Sequence, residues 1–264
     1  MKPAQRKAAF VLAATDHGPL ILNRFDYKPL GPDEGIGVGY NLLLNSSYDS
    51  QEVGVGLAML DLARNFRGAG VVAVDCGANL GVMAVEWARA MTGWGRLLAF
   101  EAQERIFYAL AGNLALNNCF NAEARHAAVG ATCGTMRIPI PDYLRPGSFG
   151  SLELHPGPEN EFIGQEIDYA TTAEIACVTL DSLGLERLDL LKIDVERMEL
   201  EVLEGARECI RRCRPMMIVE SLKSDQTKLQ AWLESAGYAV FAMGANFVAV
   251  HQTDPARPLI RPTH

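Results

Sequence analysis

Short apolar runs that alternate with amphipathic segments constrain this chain more than any other feature. Residues 71–74, 97–100 and 124–129 read as buried strands. Between them, residues 82–91 place Met83, Trp87 and Met91 four apart. Residues 103–117 do the same with Ile106, Leu110 and Leu114. Strand–helix–strand alternation implies right-handed crossovers and a parallel sheet. The pattern resumes with strands at 188–193 and 216–219 and helices at 198–210 and 223–235. Strands at 238–243 and 247–250 follow, joined by Gly244-Ala245-Asn246, a hairpin turn signal. The expected fold is α/β: a Rossmann-like, seven-stranded, mostly parallel sheet whose last strand is antiparallel, with that reversed strand at an edge. Ligands of such sheets sit at the carboxyl ends of the strands.

Three segments fall outside the alternation. Residues 1–50 carry two apolar runs, 10–15 and 20–25, around Asp16-His17-Gly18-Pro19, which read as a hairpin. Residues 29–41 read as loop, and a helix near 51–66 follows with Val53, Leu57, Leu60 and Ala63 on one face. Residues 131–176 are rich in glycine and proline. They are too long for a simple connection and read as a β-rich insertion or lid. Residues 253–264 read as an extended or disordered tail. The expected division is thus 1–50, 51–252 with its insertion, and 253–264.

The net charge of −8 argues against nucleic acid or an anionic membrane surface as partner. No apolar run is long enough to span a bilayer. The start, with Lys2, Arg6 and Lys7 before the short apolar run of residues 8–14, superficially resembles a secretory leader but lacks its cleavage pattern. The six cysteines form no CxxC pair and read as reduced thiols of a cytoplasmic protein.

Two strand ends carry the chemistry. The run Asp75-Cys-Gly-Ala-Asn-Leu-Gly81 closes one strand and opens a helix. Gly77 permits a tight turn, Gly81 permits close helix packing, and the helix start offers free N–H groups. The run departs from GxGxxG, and Asp75 would repel a pyrophosphate but suit a cationic ligand. Glu101 ends the next strand, where a carboxylate can take both hydroxyls of a ribose. Ala127, Ala128 and Val129 end the third, small enough to line an adenine. Farther on, Lys192, Asp194 and Glu196 alternate on one face of a strand end. Glu199, Glu201, Glu204 and Glu208 read as a solvated helix face.

The turn at 75–81, Glu101, the Asn113 and Asn117 spacing, and Lys192-Ile-Asp-Val-Glu196 followed by Val202-Leu-Glu-Gly-Ala206 together resemble the FkbM family. The resemblance covers roughly residues 50–222. It implies a class I methyltransferase fold and S-adenosyl-L-methionine as cofactor, with methyl transfer to a hydroxyl of a sugar or natural product. By motif position, Asp75, Gly77, Asn79 and Glu101 would bind the cofactor, with Asp194 beside the methyl. Ala78, Gly81, Ala102, Ala128 and Val129 complete the candidate cofactor set. The sequence departs from the family pattern at Ala102, usually proline, and at Arg197, usually glycine.

An alcohol is a weak nucleophile at neutral pH, so a positioned base is expected. Asp194, Glu196 and Glu220 are the candidates. The same three carboxylates would also suit Mg²⁺ in metal-assisted O-methylation, although no metal is assigned. Ser148, Ser151 and His155 are candidate acceptor contacts in the insertion, with Gly150 a backbone contact beside them. Tyr143, Phe149, Phe162 and Tyr169 either stack on an acceptor or form the insertion's own core. Tyr48 and Glu52 are candidate cofactor contacts, and His126 reads as structural. A non-catalytic cofactor-binding module and a nicotinamide-dependent oxidoreductase are the competing classes.

Overall fold

The computed structural model describes residues 7–31 and 34–260. Strands β1 (Phe10–Thr15) and β2 (Gly18–Asn23) form the antiparallel hairpin expected. The segment expected as loop instead contains a small ribbon, β3 (Lys28–Pro29) and β4 (Gly35–Ile36), and the start of α1 (Val38–Asn45). Glycine and proline punctuate it without preventing a helix. Helix α2 (Ser50–Arg67) leads into β5 (Val71–Cys76), α3 (Val82–Ala90), β6 (Gly95–Glu101), α4 (Glu104–Leu116) and β7 (Ala122–His126).

The third predicted strand breaks at Ala127. Its last residues leave the main sheet as β8 (Ala128–Val129), in a three-stranded sheet with β9 (Gly134–Pro139) and β10 (Thr172–Val178) where β10 lies between, parallel to β8 and antiparallel to β9. The second half of the chain supplies β11 (Leu190–Ile193), α5 (Glu199–Glu204), α6 (Arg207–Cys213), β12 (Met216–Glu220), α7 (Gln226–Ser235), β13 (Tyr238–Met243) and β14 (Asn246–His251). The single helix expected at 198–210 is split at Gly205. A β-carbon there would lie 2.0 Å from the Gly130 carbonyl oxygen, so this turn is fixed by close backbone approach. Helix α7 starts three residues later than expected, where Asp225 accepts the Lys228 N–H at 3.1 Å. The tail is not simply extended. It turns once at Arg257–Leu259, and Ala256 is buried. Residues 1–6 of the leader-like start and 261–264 of the tail lie outside the described residues.

The main sheet runs β13-β14-β12-β11-β5-β6-β7. The last strand, β14, is antiparallel to both neighbours, as expected of it. It lies one place in from the edge, however, and β13 is the edge strand. Period-two burial divides the core across this sheet. Val71, Ala73, Leu97 and Ala99 face α3, α4 and the N-terminal hairpin; Val72, Val74, Leu98 and Phe100 face the side covered by α5–α7. Strands buried on both faces read as continuous apolar runs, which is why they were legible. Trp87 of α3 fills the first side, and Gly56 of α2 lies against its indole: a β-carbon at position 56 would come within 2.5 Å of Nε1.

The chain leaves β5 toward β6 on one side and returns through β11 on the other. The switch point therefore lies between the ends of β5 and β11, where a ligand crevice is expected. Buried Asn113 ties the N-terminal hairpin to this frame, accepting the Ile21 N–H and donating to the Ile21 carbonyl. Asn117 adds a bond to the Pro19 carbonyl at 2.9 Å. No helix among the described residues is long and apolar enough to cross a membrane.

Candidate active site

A cavity of about 520 Å³ opens at the switch point. Its lining includes Asp75, Gly77, Ala78, Asn79, Glu101 and Ala102 from the first two strand ends, and Ala128 and Val129 from β8. Gly81 does not line it; it caps α3 at φ 87° and packs on Leu110. Gly77 has φ 82°, and a β-carbon on it would lie 1.7 Å from the Asp194 carbonyl oxygen. Glycine is thus required where the two central strand ends touch.

Backbone N–H groups hold Glu101. Its Oε2 accepts from Asn79 at 2.9 Å and its Oε1 from Gln103 at 2.8 Å. Each oxygen keeps a further lone pair for a ligand. Burial pushes this carboxyl up to about 7 against those hydrogen bonds. Gln103 extends the arrangement, donating to the Phe149 carbonyl at 2.8 Å and accepting from the Tyr143 hydroxyl at 3.1 Å. Asp75 differs. Only 1% exposed, it has no hydrogen-bond partner on either oxygen among the described residues. Burial raises it to about 6; Lys192 works against that rise and Asp194 with it. A buried carboxylate left without a donor fits a cationic ligand group.

The other end gathers Asp194, Glu196 and Glu220 from the ends of β11 and β12. Each places an oxygen within 4.8 Å of the others. That spacing would serve a hard cation, but two ammonium groups already hold the first two. Lys192 Nζ lies 2.7 Å from Asp194, and Lys223 Nζ lies 2.7 Å from Glu196. Burial opposes the Lys192 charge, yet Asp194, Glu52 and Asp75 hold it well above its ordinary range. Burial, then the Asp194 charge, pushes both Glu196 and Glu220 upward. Lys223 also donates to the Ser151 carbonyl at 3.1 Å and lies 3.1 Å from Glu161.

Between the ends, Tyr48 and Glu52 line the cavity as anticipated, and Asn246 donates to Glu52 Oε2 at 2.9 Å. Tyr48 is placed by His17 of the hairpin turn, whose Nε2 accepts the Tyr48 N–H at 3.1 Å while Nδ1 meets Glu86 at 2.9 Å.

Other expectations separate cleanly. Ser148, Gly150 and Ser151 line the cavity. His155 does not: it is exposed on the insertion, and only its carbonyl is engaged, by Asn160. Phe149 and Tyr143 pack on each other at 4.9 Å and join the main core rather than a separate core of the insertion, and Phe162 and Tyr169 lie off the cavity wall. His126 is structural, bonded to the Ala102 carbonyl at 3.0 Å and stacked on Phe107. Glu199, expected in solvent, is fully buried; it accepts the Val195 N–H at 3.1 Å and the Ser224 hydroxyl. Glu201, Glu204 and Glu208 are exposed as expected. Sequence reasoning missed Lys223, Glu161, Gln103 and Asn246. Only Gln103, two positions beyond Glu101, had a local signal.

Residues 75–240 match the family described as the methyltransferase FkbM domain. The chain belongs to the FkbM methyltransferase family. It is accordingly an S-adenosylmethionine-dependent methyltransferase, and the pocket residues fit that cofactor. A methyltransferase of Sordaria araneosa, sdnD, is 27% identical over 194 residues, covering 63% of this chain and 73% of that one. The crystal structure of methyltransferase FkbM from Methylobacillus flagellatus KT is similar over 69% of this chain, with 16% identity and a TM-score of 0.48. This chain spans 44% of that protein's length. Magnesium protoporphyrin IX methyltransferase from Synechocystis PCC 6803, solved with bound SAM, aligns with 76% of this chain and 79% of its own. Its identity is 12% and its TM-score 0.42.

Proposed function

We propose that this enzyme methylates a hydroxyl oxygen of a sugar or natural-product small molecule in the cytoplasm. The observation that carries the reading is the pairing of ends in one cavity. Asp75 presents an unpartnered buried carboxylate, and the β11 and β12 ends present carboxylates able to take a proton. When bound, the cofactor supplies an electrophilic methyl on a sulfonium. Asp75 would face its cationic end, Glu101 would take the ribose hydroxyls, and Ala102, Ala128 and Val129 would flank the adenine.

Among the three candidate bases, Glu196 fits best. Burial raises its carboxyl to about 8, so only a fraction is ionised at neutral pH, and the Lys223 ammonium 2.7 Å away favours that ionised form. Asp194 is paired with Lys192, a cation it shares with Glu52, and Glu220, raised to about 9, is ionised to a smaller extent than Glu196. The neighbouring ammonium of Lys223 is placed to steady the Glu196 carboxylate between proton transfers. Holding the acceptor oxygen in line at near-attack distance accounts for much of the expected rate. The cytoplasmic setting is supported by all six cysteines being free thiols.

The test is calorimetric titration of EDTA-treated protein with S-adenosylmethionine and, separately, NAD⁺, followed by a methylation screen beginning with sugars. Micromolar binding of the first alone, and methyl appearing on an oxygen, is the expected result. Binding of NAD⁺ alone overturns the reading. Methyl transferred only to nitrogen or carbon overturns the hydroxyl assignment while leaving the cofactor.

A further inference from the structure

The loop after β11 contains two consecutive residues in the left-handed region, Glu196 at φ 56° and Arg197 at φ 76°. A β-carbon disfavours that conformation, and a glycine would adopt it freely. Arg197 is held there by its side chain. Its Nε lies 3.1 Å from Glu153 Oε2, and its Nη2 donates to the Glu159 carbonyl at 2.8 Å. Nη1 lies 3.7 Å from the Glu159 carboxylate. Glu153 is 4% exposed and pairs with no other cation among the described residues.

The contacts continue from there. The second Glu153 oxygen accepts the Glu161 N–H at 3.1 Å. Glu161 Oε2 lies 3.1 Å from Lys223 Nζ, and its Oε1 lies 2.7 Å from Lys28 of the N-terminal ribbon. Lys223 then returns to Glu196 at 2.7 Å, next in the chain to Arg197. The result is a closed ring: Arg197, Glu153, Glu161, Lys223, Glu196. Glu153 and Glu161 belong to the insertion, Glu196 and Arg197 to the loop after β11, and Lys223 to the loop after β12.

We propose that Arg197 is a positioning residue that fixes the insertion, through Glu153 and Glu161, as the acceptor-side wall of the pocket. The word acceptor rests on the methyltransferase reading above; the wall itself rests on the ring. The guanidinium suits this task because its planar fork engages a carboxylate and a carbonyl at once, which an ammonium does less well. Removing it loosens the segment 152–163 from the loop after β11, with the Glu161 contacts to Lys28 and Lys223 still in place and the Asp75 and Glu101 end untouched. None of the five ring members hydrogen-bonds to those two residues.

The experiment is hydrogen-exchange mass spectrometry on the full chain, comparing the unmodified protein with Arg197→Gly, Arg197→Lys and Glu153→Gln. Glycine accepts the backbone conformation, so Arg197→Gly removes the guanidinium without adding backbone strain. Peptides spanning 152–163 are expected to exchange about tenfold faster in Arg197→Gly, with β6 peptides unchanged, as local opening requires. Arg197→Lys recovers part of the protection. Glu153→Gln loosens the same segment and adds little to Arg197→Gly. S-adenosylmethionine affinity, measured by calorimetry, stays within about twofold, since no contact at that end is lost. Unchanged exchange over 152–163, no recovery by lysine, or equal loosening of β6 overturns the proposal. Failure of the unmodified protein to bind S-adenosylmethionine overturns the functional reading instead, and leaves the exchange result interpretable.

Discussion

At the proposed cofactor end, Asp75 and Glu101 face the cavity with only backbone N–H groups, or nothing, for hydrogen-bond partners. At the proposed acceptor end, Asp194 and Glu196 share it with two ammonium groups. The first end is built from two adjacent strand tips and one glycine turn, within residues 75–103. The second needs the N-terminal ribbon, the insertion, the end of β11 and the loop after β12. The first end leaves both Asp75 oxygens without a donor among the described residues; the second pairs two carboxylates with lysines, while one oxygen each of Glu52, Glu153 and Glu220 stays without a hydrogen bond. A carboxylate buried on both oxygens without a donor is what sets the first end apart.

The largest expected effect breaks the internal compensation. Lys192→Met leaves Asp194, Glu52 and Asp75 without their shared cation. Breaking a buried pair in this way costs about 3–5 kcal/mol, read as a lower midpoint in denaturant unfolding. Retained stability would show that the lysine is not the keystone of that end.

Next comes the base. Glu196→Gln should lower kcat about 100-fold or more while cofactor affinity stays unchanged, the range seen for loss of a general base. Steady-state kinetics with an acceptor from the sugar screen checks it. A full-rate variant transfers the role to Asp194 or Glu220.

Glu101→Ala should weaken S-adenosylmethionine binding by about 2 kcal/mol, the loss of hydrogen bonds to a charged group. Calorimetry of the folded variant is the measurement, and unchanged affinity removes Glu101 from the cofactor end.

Asp75 gives the comparison its pH dependence. Its folded-state value, about 6, lies above the unfolded 3.8. Ionising it therefore costs the ligand-free fold stability. That penalty is absent below 3.8, grows as pH rises, and is complete above about 6. Asp75→Asn should stabilise the free protein at pH 8 by about 1–2 kcal/mol and weaken cofactor binding together. For the unmodified protein, affinity should fall about tenfold or more between pH 8 and pH 5 as Glu101, raised to about 7, and then Asp75 take up protons. A variant that loses affinity without gaining stability would mean that Asp75 is compensated before the ligand binds.

The smallest effect belongs to Glu220→Gln. Its carboxyl is raised to about 9, chiefly by burial and then by Asp194 and Glu196. It is neutral at pH 7, so the amide should change stability and rate by less than about 0.5 kcal/mol. A large loss would move the base from Glu196 to Glu220.

Legibility in the sequence followed distance along the chain. Both-face burial made β5, β6, β11 and β12 plain, and the Asp75–Gly81 turn lies within seven residues. Helix α1 was hidden because Gly35, Gly37 and Gly39 look like loop, although Asp26 orders its start by accepting the Gly39 N–H at 2.9 Å. Glu199 was misplaced in solvent because α5 is short and its first turn folds back over Val195 and Ser224. Glu161 and Lys223 gave no local signal. Their meeting at 3.1 Å depends on where the insertion lands. Arg197 was visible as a departure from a pattern, but its partners at 153 and 159 were not.

The bond from Asn246 to Glu52 spans 194 positions. Asn246 opens β14, the reversed strand wedged between β12 and β13. During synthesis the cavity therefore stays unfinished until residue 246 has left the ribosome, because a domain folds as a unit, and both Asp194, against which Gly77 packs, and Asn246 are made long after Asp75 and Glu101. A nascent chain that stops short of that hairpin carries both carboxylates but lacks the strand that closes the cavity on the Glu52 side.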